Sequence, residues 1–466
     1  MVGIVTYGVY VPLWRLDLSE VQAGRKGERA IANFDEDSLT MGVAAGMNCL
    51  GDIDRSTIDG LYFSSTTSPY REKPVSVIAA TALDLRTNIR TADFANSLRV
   101  GTTALEAAVD TVKAGSANRI MVIAADVRIP APGSDLEVLL GDGAVAFIVG
   151  RDSDVTVEIQ GSYTVCDEIL DVWRSDLDTY VRSWEARFAL DEGYFRVLPA
   201  AVSGLLVNTG LSAKDFDKAV LYGPDPRRHR QMAKQLGFDA DRLQDGMFGS
   251  LGDTGAAFAL MMLAAALDSA SEGDRLLLAS YGNGADAFVL KVVRRAGVAK
   301  GIESYISSKR LQRDYKAYLR WRGLLDMVTG RRRPPTPVPS ASSLWRERDQ
   351  VLRLHGVRCT QCGTVQYPPQ RVCTCCHAKD QFQSYRFSDK KAAVFTYGID
   401  YMTPNPDPPR VFSVVDFDGG GRMWLDMTDK DENELEISMP VEVTLRKLFT
   451  LEGIHNYYWK SMPARF

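Results

Sequence analysis

Two kinds of spacing alternate along positions 1 to 295. Runs of apolar and β-branched residues such as Ile120–Ala125 and Ala144–Val149 are continuous rather than alternating, which predicts strands buried on both faces. Between such runs lie alanine- and glycine-rich stretches of helical character, one of them capped by Asp37 and Ser38 and running through Leu50. The pattern then repeats as a helix near Ala213, a strand at Ala219–Tyr222, helices at His229–Leu236 and Ala256–Leu267, and a strand at Arg275–Ser280. Strand and helix in alternation predict a layered α/β architecture with covered sheets, built of two similar halves.

Past residue 295 the pattern changes. Ser304–Met327 reads as one helix, with Tyr315, Tyr318, Leu319, Trp321, Leu324 and Leu325 recurring at steps of three and four to form an apolar stripe that docks on its own domain or grips a partner. Thr329–Ser343 carries four prolines and few apolar residues, and reads as an extended connector. Beyond it, Ala392–Tyr397, Val411–Val415, Met423–Met427 and Val441–Leu445 read as short strands, with a tight turn at Asp418–Gly421, enough to close a small β-barrel. The expected division is therefore 1–295, a helical segment and linker at 296–343, a metal-binding segment at 344–385, and a barrel at 386–466.

Composition narrows the function classes. At 466 residues and 45% hydrophobic content the chain buries a core in two or three domains, and it has no apolar run near the roughly 18 residues that cross a bilayer. The start, Met1-Val-Gly-Ile-Val, lacks a basic region followed by an apolar stretch, so a cytoplasmic location is expected. A net charge of −4 argues against a dedicated nucleic-acid binder, and Arg331–Arg333 reads as a solvated part of the linker. Arg446, Lys447, Tyr457, Tyr458, Trp459 and Lys460 form a basic and aromatic set that suits a nucleic acid or, better for an acidic chain, a structural or phosphate-facing role.

The most specific chemical signal is Cys359-Thr-Gln-Cys362 followed, ten residues on, by Cys373-Thr-Cys-Cys376. Two thiolate pairs on tight turns close a tetrahedral shell around a structural zinc, which leaves no open position for catalysis. Cys375 and His377 compete for a place in that shell, and the paired spacing favours Cys359, Cys362, Cys373 and Cys376.

Six motifs carry a family resemblance: Leu61–Pro74, Phe94–Thr102, Gly141-Asp-Gly-Ala144, Tyr222-Gly-Pro-Asp225, Gly252-Asp-Thr-Gly-Ala256 and Tyr281-Gly-Asn-Gly284. In order and spacing they resemble the thiolase superfamily, in its branch of 3-hydroxy-3-methylglutaryl-CoA synthases and ketoacyl synthases III, over residues 1–295. The tail from about residue 300 resembles the rubredoxin-like zinc ribbon and OB-fold module that accompanies acyl-CoA thiolases and synthases. The resemblance implies a layered thiolase-like α/β fold, a coenzyme A thioester as substrate, and a homodimer or a heteromer with a thiolase-family chain.

Aligned on those motifs, the usual catalytic residues are replaced. The nucleophilic cysteine falls at Leu98, next to Ser97; the histidine falls at Tyr222; two asparagines fall at Asp225 and Asp253; the synthase glutamate falls at Thr66. Residues 1–295 contain only Cys49 and Cys166 and one histidine, His229, and Cys49 on an apolar helix reads as core. A phenol at Tyr222 and a base at Asp253 or Asp225 suit proton transfer in aldol or retro-aldol chemistry on a 3-hydroxyacyl-CoA, with no covalent intermediate. Sterol side-chain aldolases of thiolase type, which lack the cysteine and work with a zinc-ribbon OB partner, are the family precedent. Ser97 is a further candidate nucleophile, or a helix cap. A silent subunit beside an active thiolase and a conventional synthase complete the alternatives. Trp173, Trp184, Phe188 and Tyr194 read as core or as the wall of an acyl tunnel.

Overall fold

The structure, a computed structural model, describes residues 1–297, 300–325 and 340–466. Residues 329–339 of the expected connector, including Arg331–Arg333, lie outside the described residues, and 341–343 open a short helix, Ala341–Arg346, in place of an extended stretch. The chain divides into two compact units, one of residues 1–32, 37–80 and 85–315, the other of 33–36, 81–84 and 316–466.

The first unit is built on one repeated motif. In the first half, β1 (Val2–Tyr10), β2 (Gly60–Ser64), β3 (Arg90–Phe94), β4 (Ile120–Val127) and β5 (Asp142–Arg151) stand side by side in the order β3-β2-β4-β5-β1. The three strands β3, β2 and β4 are parallel, and β4-β5 and β5-β1 are antiparallel. In the second half, β6 (Val157–Cys166), β7 (Lys218–Leu221), β8 (Arg275–Tyr281) and β9 (Gly284–Val292) repeat that order as β7-β8-β9-β6, with one parallel pair where the first half has two, followed by antiparallel ones. The counterpart of β3 shrinks to a parallel bridge between Leu243 and Ala219 of β7. An antiparallel pairing of Gly3 and Ile4 with Glu158 and Val157 joins the halves into a nine-stranded sheet. The two similar halves expected from the sequence are present.

Helices repeat with the strands. α1 (Ser38–Leu50), α2 (Val75–Ala82) and α3 (Val100–Lys113) correspond to α4 (Phe195–Thr209), α5 (Pro226–Gln235) and α6 (Phe258–Ser269) in connectivity. α1 starts where Asp37 accepts from the Thr40 N–H in a capping box, and Asp225 caps α5 ahead of Pro226. α3 and α6 approach closely where Gly101 passes the 255–257 turn: a Cβ on Gly101 would lie 2.4 Å from the Ala256 carbonyl oxygen.

Ser304–Met327 is not one helix. Helical turns at Ile302–Ser307 and Tyr315–Trp321 are separated by Arg310–Gln312, which pairs in parallel with Trp14–Leu16, and the second turn is followed by Gly323 at φ +66°. Edge pairing with an existing strand overrides the helical spacing there; Ala317, Tyr318 and Trp321 are buried all the same.

In the second unit, β10 (His355–Cys359), β11 (Val365–Gln366) and β12 (Phe382–Arg386) form a small sheet, and β13 (Ala392–Asp400), β14 (Arg410–Phe417), β15 (Arg422–Met427), β16 (Pro440–Leu451) and β17 (Ile454–Pro463) close a barrel. The basic and aromatic set read from the sequence is largely interior: Arg446 and Trp459 are fully buried, and Tyr457 and Lys460 nearly so. Arg446 pairs with Asp35, Glu36 and Asp429 at 3.2, 2.8 and 2.6 Å, and Lys460 with Asp35 at 2.8 Å. Burial alone would raise the Asp35 carboxyl, yet Lys460 and Arg446 hold it below the usual carboxylate range. These cations are spent on buried carboxylates and do not form a surface for phosphates.

Gly101→Ala is expected to destabilise the protein by about 1–3 kcal/mol, since the contact it would strike is backbone and cannot rotate away; the midpoint of urea unfolding measures it.

Candidate active site and zinc centre

Four buried carboxylates, three in strands and one in the loop before the 255–257 turn, set the geometry around a cavity of the first unit. Asp126, in β4, accepts from Ser65 Oγ, Thr66 N, Thr66 Oγ1, Thr67 Oγ1 and Ala256 N, all at 2.7–2.8 Å. Asp142, opening β5, accepts from Ala32 N at 2.7 Å and Arg128 N at 3.0 Å. Asp286, in β9, takes Arg99 Nη1 and Thr102 Oγ1, both at 2.7 Å. Asp253 accepts from Gly255 N at 2.8 Å, Arg128 Nη1 at 3.2 Å and the Tyr222 hydroxyl at 3.4 Å. Each ties a loop at a carboxyl end of the sheet to a neighbouring strand or helix.

The loops so fixed enclose a cavity of about 290 Å³ whose lining includes Thr66, Asn96, Ser97, Leu98, Arg128, Trp173 and Asn283. It lies beyond the carboxyl ends of β2, β3, β4, β6 and β8, where open α/β sheets receive ligands. Asn96 and Asn283 adopt φ of +74° and +49°, a conformation asparagine tolerates and one found at ligand sites.

The sequence-derived candidates are distributed unevenly around this space. Leu98 lines it, and so does Ser97, whose hydroxyl donates to the Gly282 carbonyl at 2.7 Å and accepts from the Arg99 N–H at 3.3 Å, the bonding of a positioned turn. Tyr222 and Asp253 meet, but both are buried and neither lines the cavity. Burial raises Asp253 above the usual carboxylate range against the opposing pull of Arg128, and burial with the Asp253 charge raises the Tyr222 phenol well above its own. Asp225 is occupied as the cap of α5, accepting from the Arg227 and Arg228 N–H groups. Cys49 is core and Cys166 is exposed, and neither lines the cavity. Trp173 lines it, Tyr194 is buried with its hydroxyl on the Tyr222 carbonyl at 2.8 Å, and Trp184 and Phe188 are exposed.

Sequence reasoning missed three residues. Arg128 separates the Asp253–Tyr222 pair from the cavity; Asp126 positions Thr66; Asp171 lies in the loop whose neighbours line the cavity. Burial raises the Asp171 carboxyl, the neighbouring Tyr281 hydroxyl and the Arg128 charge pull it down, and the Asp253 charge raises it again. The available signal was Asp126 and Arg128 closing an otherwise apolar strand, where charge at the carboxyl end of a buried strand marks a site.

In the second unit the Sγ atoms of Cys359, Cys362, Cys373 and Cys376 lie within 4.8 Å of one another. Cys359 to Cys376 is 3.7 Å and Cys362 to Cys373 is 3.5 Å. A zinc ion with Zn–S bonds of about 2.3 Å needs tetrahedral edges of about 3.8 Å, so the four thiols fit it. Cys375 contributes its backbone N–H to Cys373 Sγ at 3.4 Å, and its own thiol stands outside the cluster. Zinc in such a closed thiolate shell supplies folding stability and no reaction chemistry.

Comparison with known proteins agrees with this architecture. Residues 93–167 match the 3-oxoacyl-(acyl-carrier-protein) synthase III family and 206–292 its C-terminal domain; 346–381 match the ChsH2 rubredoxin-like zinc ribbon domain and 385–446 the ChsH2 C-terminal OB-fold domain. Hydroxymethylglutaryl-CoA synthase of Pyrococcus horikoshii is 34% identical over 339 residues, 69% of this chain and 96% of the relative. That of Methanothermobacter thermautotrophicus is 32% identical over 349 residues, 70% of this chain and 100% of the relative. Among solved structures, a hydroxymethylglutaryl-CoA synthase complexed with CoA superposes with a TM-score of 0.61 at 17% identity, covering 68% of this chain and 89% of that one. PksG, a hydroxymethylglutaryl-CoA synthase from Bacillus subtilis, gives 0.62 at 20%, covering 69% and 89%. At those identities the likeness is one of fold, a thiolase-like α/β fold, here followed by a zinc ribbon and an OB-fold domain. No described helix is long and apolar enough to cross a membrane.

Two outcomes follow from this geometry. Elemental analysis of the purified chain should find zinc, with occupancy falling in Cys362→Ser and unchanged in Cys375→Ser. Burial holds His229 down at about 4, below the ordinary 6.5, so between those values the unfolded chain binds more protons than the folded one. Stability is therefore full above pH ~6.5 and falls as pH drops toward ~4, by at most about 3 kcal/mol; urea midpoints across that range should show the loss, and His229→Gln should flatten it.

Proposed function

The chain belongs to the hydroxymethylglutaryl-CoA synthase family, and from that premise we propose that it makes or breaks a carbon–carbon bond in an acyl-CoA thioester without a cysteine nucleophile. The observation that carries this reading is the cavity itself: Leu98 occupies the position that the family resemblance gives to the nucleophile, and among the described residues no cysteine or histidine lines the space. A hydrogen-bonded Tyr222–Asp253 pair stands immediately behind Arg128. On a 3-hydroxyacyl-CoA, Asp253 takes the β-hydroxyl proton once Arg128 yields one of its oxygens. The Cα–Cβ bond then breaks toward the thioester, and the enolate is reprotonated at Cα, leaving a carbonyl compound and a shorter acyl-CoA. Condensation is the same path reversed. The zinc ribbon and barrel accompany this chemistry without joining it, with the synthase-like part taken as 1–295, the helical segment and linker as 296–343, the ribbon as 344–385 and the barrel as 386–466. The site of action is cytoplasmic in this reading.

A second reading has its own support. Tyr222 and Asp253 are 5% and 3% exposed, and β3 is an edge strand of the nine-stranded sheet. Both suit a silent subunit that pairs, as a homodimer half or beside a thiolase-family chain, with an active partner.

Native purification through a tag on this chain, followed by mass analysis and a 3-hydroxyacyl-CoA cleavage assay, separates the two. Cleavage by the homogeneous chain that survives thiol alkylation and falls at least about tenfold in Asp253→Asn supports the first reading. Fixed stoichiometry with a cysteine-bearing thiolase, and activity only in that complex, supports the second. Activity abolished by alkylation overturns the cysteine-free mechanism.

A further inference from the structure

Carbon–carbon cleavage without a covalent intermediate leaves negative charge on the thioester oxygen as the enolate forms, and a site that runs it needs a fixed donor there. Two arginines line the cavity. Arg174 is exposed and spends Nη2 on the Thr66 carbonyl at 2.9 Å, whereas the Arg128 side chain is 4% exposed.

Arg128 is held at both ends. Its backbone N–H donates to Asp142 Oδ1 at 3.0 Å, and its Nη1 donates to Asp253 Oδ2 at 3.2 Å. Between them the side chain passes over Gly255, at φ +63°, where a Cβ would come within 2.9 Å of Arg128 Cδ and 2.3 Å of Asp126 Oδ2. Glycine at that position is what leaves room for the arginine. The guanidinium carries five N–H donors and keeps its charge when buried. Among the described residues its one side-chain hydrogen bond is to Asp253, so the remaining donors can serve the cavity it lines together with Leu98, Thr66 and Ser97.

Resting on the acyl-CoA reading above, we infer that Arg128 is a catalytic residue, donating to the thioester oxygen and stabilising its enolate. A merely structural Arg128 would neutralise Asp253 and leave the acidity of a bound thioester unchanged. A 3-ketoacyl-CoA discriminates, because its enolate absorbs in the near ultraviolet and forms without turnover.

The full chain is mixed with acetoacetyl-CoA at pH 7. Binding is followed by isothermal titration, the enolate by absorbance, and folding by the unfolding midpoint. The inference expects an enolate band in the wild type, its retention in Asp253→Asn, and partial retention in Arg128→Lys. It expects loss, by about tenfold or more, in the double variant Arg128→Met/Asp253→Asn, which removes both charges and leaves neither buried alone. Thioester bound without an enolate band in the wild type, or an undiminished band in the folded double variant, overturns the role of Arg128 while the acyl-CoA reading stands. No binding of the thioester by the wild type overturns that reading and this inference with it.

Discussion

A buried carboxylate cannot be left without partners, and that requirement shapes the first unit of this protein. Asp126, Asp142, Asp253 and Asp286 are each at most 3% exposed, and each draws at least one hydrogen bond from a segment far away in sequence. Asp126 gathers the 65–67 turn and the start of the 255–257 turn; Asp142 gathers residue 32 and the backbone of Arg128; Asp286 anchors the start of α3 through Arg99 and Thr102. Removing one such acceptor would strand several donors, which is costlier than the bonds themselves are favourable. The loops around the cavity therefore have little freedom to rearrange, and the groups they carry are preorganised.

Duplication explains where those loops converge. The two halves share a strand order and a helix pattern, so α3 and α6 both follow turns at the carboxyl edge of the sheet. The turn before α3 brings Ser97 and Leu98, and the turn before α6 brings Asp253. Gly101 and Gly255 permit the close approach of these turns, one against a backbone carbonyl and the other against Asp126 and Arg128. Where these turns meet stand an arginine ion-paired to an aspartate and a phenol beside them.

The readable part of the site was the part written in local pattern. The CxxC pairs specify their own turns, so the four-thiol cluster followed from spacing alone, and the structure places Cys375 outside it. Tyr222 and Asp253, 31 residues apart, were named from motif positions and do meet. Their separation from the cavity by Arg128 was not legible, because Arg128 comes from a third strand end and its path depends on the absence of a Cβ at Gly255. The basic and aromatic residues of the last strands misled for a similar reason: Arg446 and Lys460 look like a surface until the carboxylates of Asp35, Glu36 and Asp429 are seen beside them. The segment Ser304–Met327 has helical spacing, yet Arg310–Gln312 joins a strand, since backbone pairing with Trp14–Leu16 outweighs a weak local preference.

Continuous apolar runs, capping residues and paired cysteines act over a few positions, so by itself the sequence determined the alternation of strands and helices, the repeat of the first unit, the barrel strands and the metal ligands. Which buried charges meet, which hydroxyls are already spent, and which side chain reaches the cavity depend on groups brought together from positions more than a hundred residues apart, as Arg128 and Asp253 are. Those matters only the tertiary structure decided, because charge pairing and close packing are properties of the folded neighbourhood and leave no periodic trace along the chain.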